Sequence, residues 1–128
     1  MTKKTHIAVG IVATLQLLNA LPKYAFIGII GAIVADWDLL LGIKHRTITH
    51  SLIALCLATI VIALCNFNIG IVFGLNYLLH LLLDSLTKMG VPFFYPFRKK
   101  YYGFKLIKTG GVEDLFICLM AILLIYYF

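Results

Sequence analysis

Hydrophobic residues run through this chain in five long blocks separated by short polar breaks, covering about residues 6–21, 24–43, 51–65, 69–87 and 112–128. Each block predicts a membrane-crossing helix, since spanning takes about 20 apolar residues, with a range of about 17–25. The first and third blocks are short. They thin the bilayer locally, tilt little or borrow flanking residues. Helical periodicity adds little, because the blocks are apolar on most faces. Pro22 ends the first block, and Asn66-Phe67-Asn68 ends the third.

The segment at about 88–111 breaks the pattern. It runs Lys88-Met89-Gly90-Val91-Pro92-Phe93-Phe94-Tyr95-Pro96-Phe97, then Arg98-Lys99-Lys100-Tyr101-Tyr102. Pro92 and Pro96 forbid a continuous helix. Mixed aromatic and basic residues suit a loop in the headgroup layer. It is either an interfacial anchor or a lid whose Arg98, Lys99 and Lys100 hold a substrate's anionic head.

Composition supports the membrane reading. The 128 residues are 62% hydrophobic and 12% charged, with mean hydropathy +1.03. Soluble domains are roughly half apolar and a quarter charged, so a soluble domain and a disordered chain are both excluded. The expectation is an all-α integral membrane protein, a bundle of about five transmembrane helices forming one domain over 1–128. Lys3 and Lys4 before an apolar run resemble a signal peptide, but Leu18 breaks the small-residue cleavage rule. The first block is therefore expected to stay. Cys56, Cys65 and Cys118 lie in apolar stretches without a C-x-x-C pair and read as small packing residues.

The net charge of +6 carries orientation. With five spans, one side holds Lys3, Lys4, Lys44, Arg46, Lys88, Arg98, Lys99, Lys100, Lys105 and Lys108, and the other only Lys23. Positive residues favour the cytoplasmic side, so the N-terminus is expected in the cytoplasm and the chain in the inner membrane as a multi-pass protein. No nucleic-acid-binding motif accompanies the charge, and no direct nucleic-acid partner is expected.

On this topology every acid (Asp36, Asp38, Asp84, Glu113, Asp114) and every histidine (His6, His45, His50, His80) falls on the cytoplasmic side. Ionisable groups in a bilayer are costly and usually have a partner and a role. His80 and Asp84 are the sharpest case. Their i,i+4 spacing puts both on one helix face, with His80 about 12 Å below the interface at about 1.5 Å per residue. They form a metal-binding or catalytic pair, or a buried structural hydrogen bond. Asp36 and Asp38 point about 200° apart on a regular helix. They share a site only if the helix unwinds, which the nearby Gly42 permits. Otherwise they cap the membrane surface.

In His45-Arg46-Thr47-Ile48-Thr49-His50-Ser51, His50 can ligate a metal and Thr49 or Ser51 can cap the third helix. Arg46 offers a planar fork for phosphate or carboxylate, or a charge for lipid headgroups. Glu113 either completes a site or sits at a helix start favoured by the dipole, and Asp114 is assigned to the helix end alone. The candidate ligands are His6, Asp36, Asp38, His50, His80 and Asp84. This oxygen–nitrogen set suits zinc, manganese or ferrous iron, as one ion or two.

These pieces, taken in order, resemble a family described as LexA-binding, inner-membrane-associated metal-dependent hydrolases. The matching elements are Thr5-His6, Asp36-x-Asp38, His45-Arg46 with Thr49-His50-Ser51, and His80-Leu-Leu-Leu-Asp84 with Thr87 and Gly90-Val91. Tyr95-Pro96-Phe97, Thr109-Gly110 and Glu113 complete the set. The resemblance covers nearly the whole chain. One departure is Leu39, where that family often carries His after the second Asp. The His-x-x-x-Asp element and Thr5-His6 are also similar to zinc-dependent phospholipases C, by analogy only.

The resemblance implies a metal-dependent hydrolase, with zinc or manganese foremost; a site at headgroup depth on the cytoplasmic side points to a lipid-borne ester, and Arg46 with the basic 98–108 loop favours a phosphoester. Metal-activated water would attack. Arg46, with His45 nearby, would stabilise developing charge, and Glu113 or a free carboxylate would serve as base. The alternatives are a non-catalytic membrane protein that binds a cytoplasmic regulator through its basic loop, a small metal carrier, and a bundle glued by polar residues.

Overall fold

A computed structural model describes residues 1–17 and 22–127. The described residues form helices α1 (Lys3–Val12), α2 (Ala25–Ile33), α3 (Asp38–Leu41), α4 (Leu52–Cys65), α5 (Phe67–Ser85) and α6 (Val112–Tyr127). Leu18, on which the cleavage argument turned, lies outside the described residues. Helix α1 continues as a π-helical turn over Ala13–Leu17.

Helix α5 is the axis. It packs against α2 and α4 and touches α1, while α1 packs against α2 and α6. Ala35, Leu55, Phe73, Tyr77, Leu81 and Val91 form the apolar core around it. The α4–α5 approach depends on small side chains. A Cβ on Gly70 would stand 2.5 Å from Ala63 Cα, and one on Gly74 would stand 2.5 Å from Thr59 Cγ2. This Gly-x-x-x-Gly spacing lets two apolar helices touch along their backbones, a device suited to a bilayer. Asn66 alone joins them. Its side chain caps α5 by accepting from Ile69 N at 3.2 Å.

Helix α5 is the helix, among the described residues, that is both long and apolar enough to cross a membrane unaided, and α4 is a shorter apolar helix. The second predicted block is interrupted: α2 tightens into a 3₁₀ turn at Val34–Trp37, then α3 ends at Gly42 with φ 70°. The interior is as polar as it is apolar. Thr5, His6, Asp36, Asp38, Arg46, His50, Asn76, His80, Asp84 and Asp114 are buried, while Leu57, Ile60, Val61 and Leu64 of α4 and Phe116, Leu119, Ile122 and Leu123 of α6 are exposed. The cysteines carry free thiols, and Cys56 and Cys65 are exposed, so these two face outward instead of packing inside.

Segment 88–111 is bolted to the end of α5. Val91 and Tyr102 exchange backbone hydrogen bonds at 2.8 and 2.9 Å, Phe104 N donates to Ser85 O at 2.9 Å, and Ile107 N donates to Leu86 O at 3.0 Å. Phe93 O accepts from Leu52 N at 2.9 Å, tying the segment to the start of α4. Phe94, Phe97, Arg98, Lys99, Lys100 and Phe104 remain exposed on its outer side.

Candidate metal centre

Four side chains from three parts of the chain converge under this segment. His80 and Asp84 come from one face of α5, as their spacing requires. Asp36 comes from the 3₁₀ turn after α2, and His50 ends the 3₁₀ turn Ile48–His50 before α4. One ligand atom from each of Asp36, His50, His80 and Asp84 lies within 4.8 Å of the others, and all four residues are buried. His50 Nε2 stands 3.3 Å from His80 Nε2 and 3.4 Å from Asp84 Oδ2. Asp36 Oδ1 is 3.7 Å from both nitrogens, and His80 Nε2 is 3.5 Å from Asp84 Oδ2.

Proton placement decides what this cluster can do. His80 Nδ1 lies 2.6 Å from Ala32 O. A carbonyl only accepts, so Nδ1 carries a proton, and in the neutral ring Nε2 is the acceptor. Thr49 Oγ1 donates to Asp38 Oδ2 at 2.9 Å, so it can only accept from His50 Nδ1, 3.2 Å away. In neutral His50, Nε2 is then the acceptor as well. Burial also pushes the His50 imidazole below its usual pKa, which keeps it neutral. With both rings neutral, two nitrogen acceptors and two carboxylate oxygens face one point. Four acceptors at this spacing repel unless a cation lies among them. Ligand atoms about 2.1 Å from a tetrahedral ion stand about 3.4 Å apart, so the donor set fits a metal ion.

The surroundings complete the electrostatics. Asp84 Oδ1 accepts from Arg46 Nη2 at 3.1 Å and faces His6 Nε2 at 3.2 Å and the Met1 amino group. The His6 ring stacks on His80 with centroids 3.9 Å apart, and His6 Nδ1 is buried without a hydrogen-bond partner. Arg46 points inward and is buried. Its Nη1 donates to Thr87 Oγ1 at 2.8 Å and to Gly90 O at 3.0 Å, and its carbonyl accepts from Tyr101 Oη at 3.0 Å. His45 Nδ1 donates to Asp38 Oδ1 at 3.0 Å, and its Nε2 lies 3.9 Å from Asp36 Oδ1. The His45 side chain is 32% exposed, against 8% for Asp36 and 0–2% for His50, His80 and Asp84. His45 is therefore the most exposed side chain of these groups.

Of the six candidate ligands, Asp36, His50, His80 and Asp84 meet at one point. His6 touches the opposite oxygen of Asp84, and Asp38 meets His45 and His50 in an adjoining group. Arg98, Lys99 and Lys100 are exposed on the outer segment, and Glu113 is exposed in the first turn of α6, outside both groups.

Asp114, assigned from sequence to a helix end alone, is instead a buried joint. It accepts from Thr5 Oγ1, from Thr2 N at 2.9 Å and from Gly110 N at 2.8 Å, holding α1 to α6. Ser51, as expected, caps α4 by accepting from Ala54 N at 3.2 Å. Sequence reasoning missed Tyr77, whose hydroxyl donates to Thr49 O and steadies the ligand loop. Its place three residues before His80 on α5 was the available signal.

Residues 1–128 match the family model of the YdjM inner membrane protein, and the chain belongs to that family. No curated protein and no solved structure is significantly similar to it. The family places the chain in the inner membrane, and the buried Asp/His cluster is a candidate metal site.

Proposed function

From membership of an inner-membrane family, we propose that this chain is a multi-pass, metal-dependent hydrolase of a lipid-borne phosphoester, with its site at the cytoplasmic face. One observation carries the proposal: the Nε2 atoms of two imidazoles whose Nδ1 atoms are engaged elsewhere converge with two carboxylate oxygens. Asp36, His50, His80 and Asp84 hold one divalent ion, zinc or manganese. The bound ion supplies Lewis-acid activation of water near neutral pH.

The chain's own residues do the rest. Ala32 O and Thr49 aim the imidazoles. Arg46 supports Asp84 from behind, a use of its fork different from gripping substrate. His45, at the open side, meets the incoming group. Exposed Trp37, Leu39, Leu40, Leu41, Ile43 and Ile48 flank that opening, which favours a substrate with acyl chains. Arg98, Lys99 and Lys100 favour an anionic head. The exposed apolar faces of α4 and α6 support their burial in lipid, and the charge segregation supports a cytoplasmic N-terminus.

The test is metal content per chain by elemental mass spectrometry on detergent-purified protein. Wild type should carry one equivalent, and folded His80→Ala and Asp84→Ala should carry none. A loaded wild type should then cleave a member of a lipid and phosphoester panel. A wild type that binds no zinc or manganese under supplementation sinks the metal reading. A loaded protein that cleaves nothing sinks the hydrolase reading alone.

A further inference from the structure

We infer that Asp36 and Asp38, two residues apart, divide two tasks: Asp36 is a metal ligand, and Asp38 is a positioning residue that fixes the tautomers of His45 and His50 without touching the ion. The inference rests on the metal-site reading above and deepens it.

The two carboxylates differ in what already occupies them. Asp38 is fully buried. Its Oδ2 accepts from Arg46 N at 3.0 Å and Thr49 Oγ1 at 2.9 Å, and its Oδ1 accepts from His45 Nδ1 at 3.0 Å. Three donors leave it little to offer a cation. The Asp36 side chain makes no hydrogen bond among the described residues, and its Oδ1 faces both Nε2 atoms at 3.7 Å. The 3₁₀ turn at Val34–Trp37 and the start of α3 at Asp38 separate the two side chains, so one reaches the centre and the other reaches the loop behind it.

Asp38 acts on both rings. It takes the Nδ1 proton of His45 directly as a hydrogen bond, which leaves Nε2 bare beside Asp36. It acts on His50 through Thr49: once the Thr49 hydroxyl donates to Asp38, its oxygen can only accept from His50 Nδ1. Asp38 Oδ2 also lies 3.6 Å from that same nitrogen. The bond from Arg46 N holds the left-handed turn at Arg46, φ 56°, that swings this loop over the centre. A carboxylate behind a ligating histidine orients the ring and strengthens it as a ligand, and removing such a partner weakens metal binding about 10–100-fold.

The experiment is a Co²⁺ titration of the full chain in detergent, followed by visible absorption, for wild type, Asp38→Asn, Asp36→Asn and Thr49→Val. Wild type should take one equivalent. Asp38→Asn should also take one, with unchanged band positions and affinity about 10–100-fold weaker. Thr49→Val should shift affinity in the same direction by less. Asp36→Asn should move the bands or abolish uptake.

Band changes in Asp38→Asn that match those of Asp36→Asn would make Asp38 a ligand and overturn the inference while sparing the metal site. Unchanged affinity in Asp38→Asn, with only a lower unfolding temperature of the metal-free protein, would reduce Asp38 to a structural role and overturn it too. If Asp38→Asn does not fold, Thr49→Val decides, and full affinity there counts against the inference. A wild type that takes up no Co²⁺ or zinc overturns both readings.

Discussion

Asp84 gives one oxygen to cationic and donor groups and the other to two bare imidazoles. Breaking a buried ion pair by removing one partner costs about 3–5 kcal/mol, because the other charge stays buried. Measured by unfolding in detergent, Arg46→Met should therefore destabilise the metal-free protein by part of that amount, since the Met1 amino group still pairs with Asp84. Unchanged stability would show that the Met1 amino group alone compensates Asp84. The His80–Asp84 pair was legible because i,i+4 geometry is local to one helix. The difference between Asp36 and Asp38 was not, since it is made by Thr49 and by the backbone of Arg46 folding back from beyond Gly42. Asp114 was illegible for a similar reason. Beside Glu113 it looked like a second helix-start acid, and only the arrival of α1 supplies Thr2 and Thr5 as its donors.

Among the helices, α4 and α5 touch through atoms that cannot move aside. A methyl on Gly70 meets Ala63 backbone and Cβ, whereas one at Gly42 meets nothing within 4 Å. Gly70→Ala should therefore force the pair apart and cost about 1–3 kcal/mol. Gly42→Ala should show only the strain of a left-handed residue, about 1–2 kcal/mol. Distances between spin labels on α4 and α5 separate the cases: they should lengthen in Gly70→Ala and hold in Gly42→Ala. Apolar blocks announced the helices and Asn66 announced the turn between two of them. The break after α2 was foreseen only as a condition for Asp36 and Asp38 to share a region. The π turn at Ala13–Leu17 had no sequence signal.

Across the described residues, outward-facing leucines and a polar interior invert the arrangement of a soluble domain. Proposed crossings of all five blocks put the α4–α5 turn outside and the basic segment inside. Exposed Cys65, next to that turn, should then react with a membrane-impermeant maleimide added to the outer face of the inner membrane. A cysteine placed at Lys99 should react only after the membrane is opened. Labelling in the reverse order would invert the topology. The expected direction rests on the segregation of lysine and arginine. The packing of segment 88–111 was not legible, because its prolines forbade a helix without saying what the strand-like backbone would pair with. Its partners, Ser85 and Leu86, belong to the end of α5.

The buried charges around the centre also select its occupant by valence. Asp36, Asp38, Asp84 and Asp114 are four buried carboxylates, against the Arg46 guanidinium and the Met1 amino group. Among these groups two negative charges stand uncompensated where solvent screens them little. A monovalent cation would leave half of that excess in place, and a trivalent one would reverse its sign. A divalent ion would bring the group to neutrality, so residues that held such an ion would also make its departure electrostatically expensive for the surrounding apolar layer.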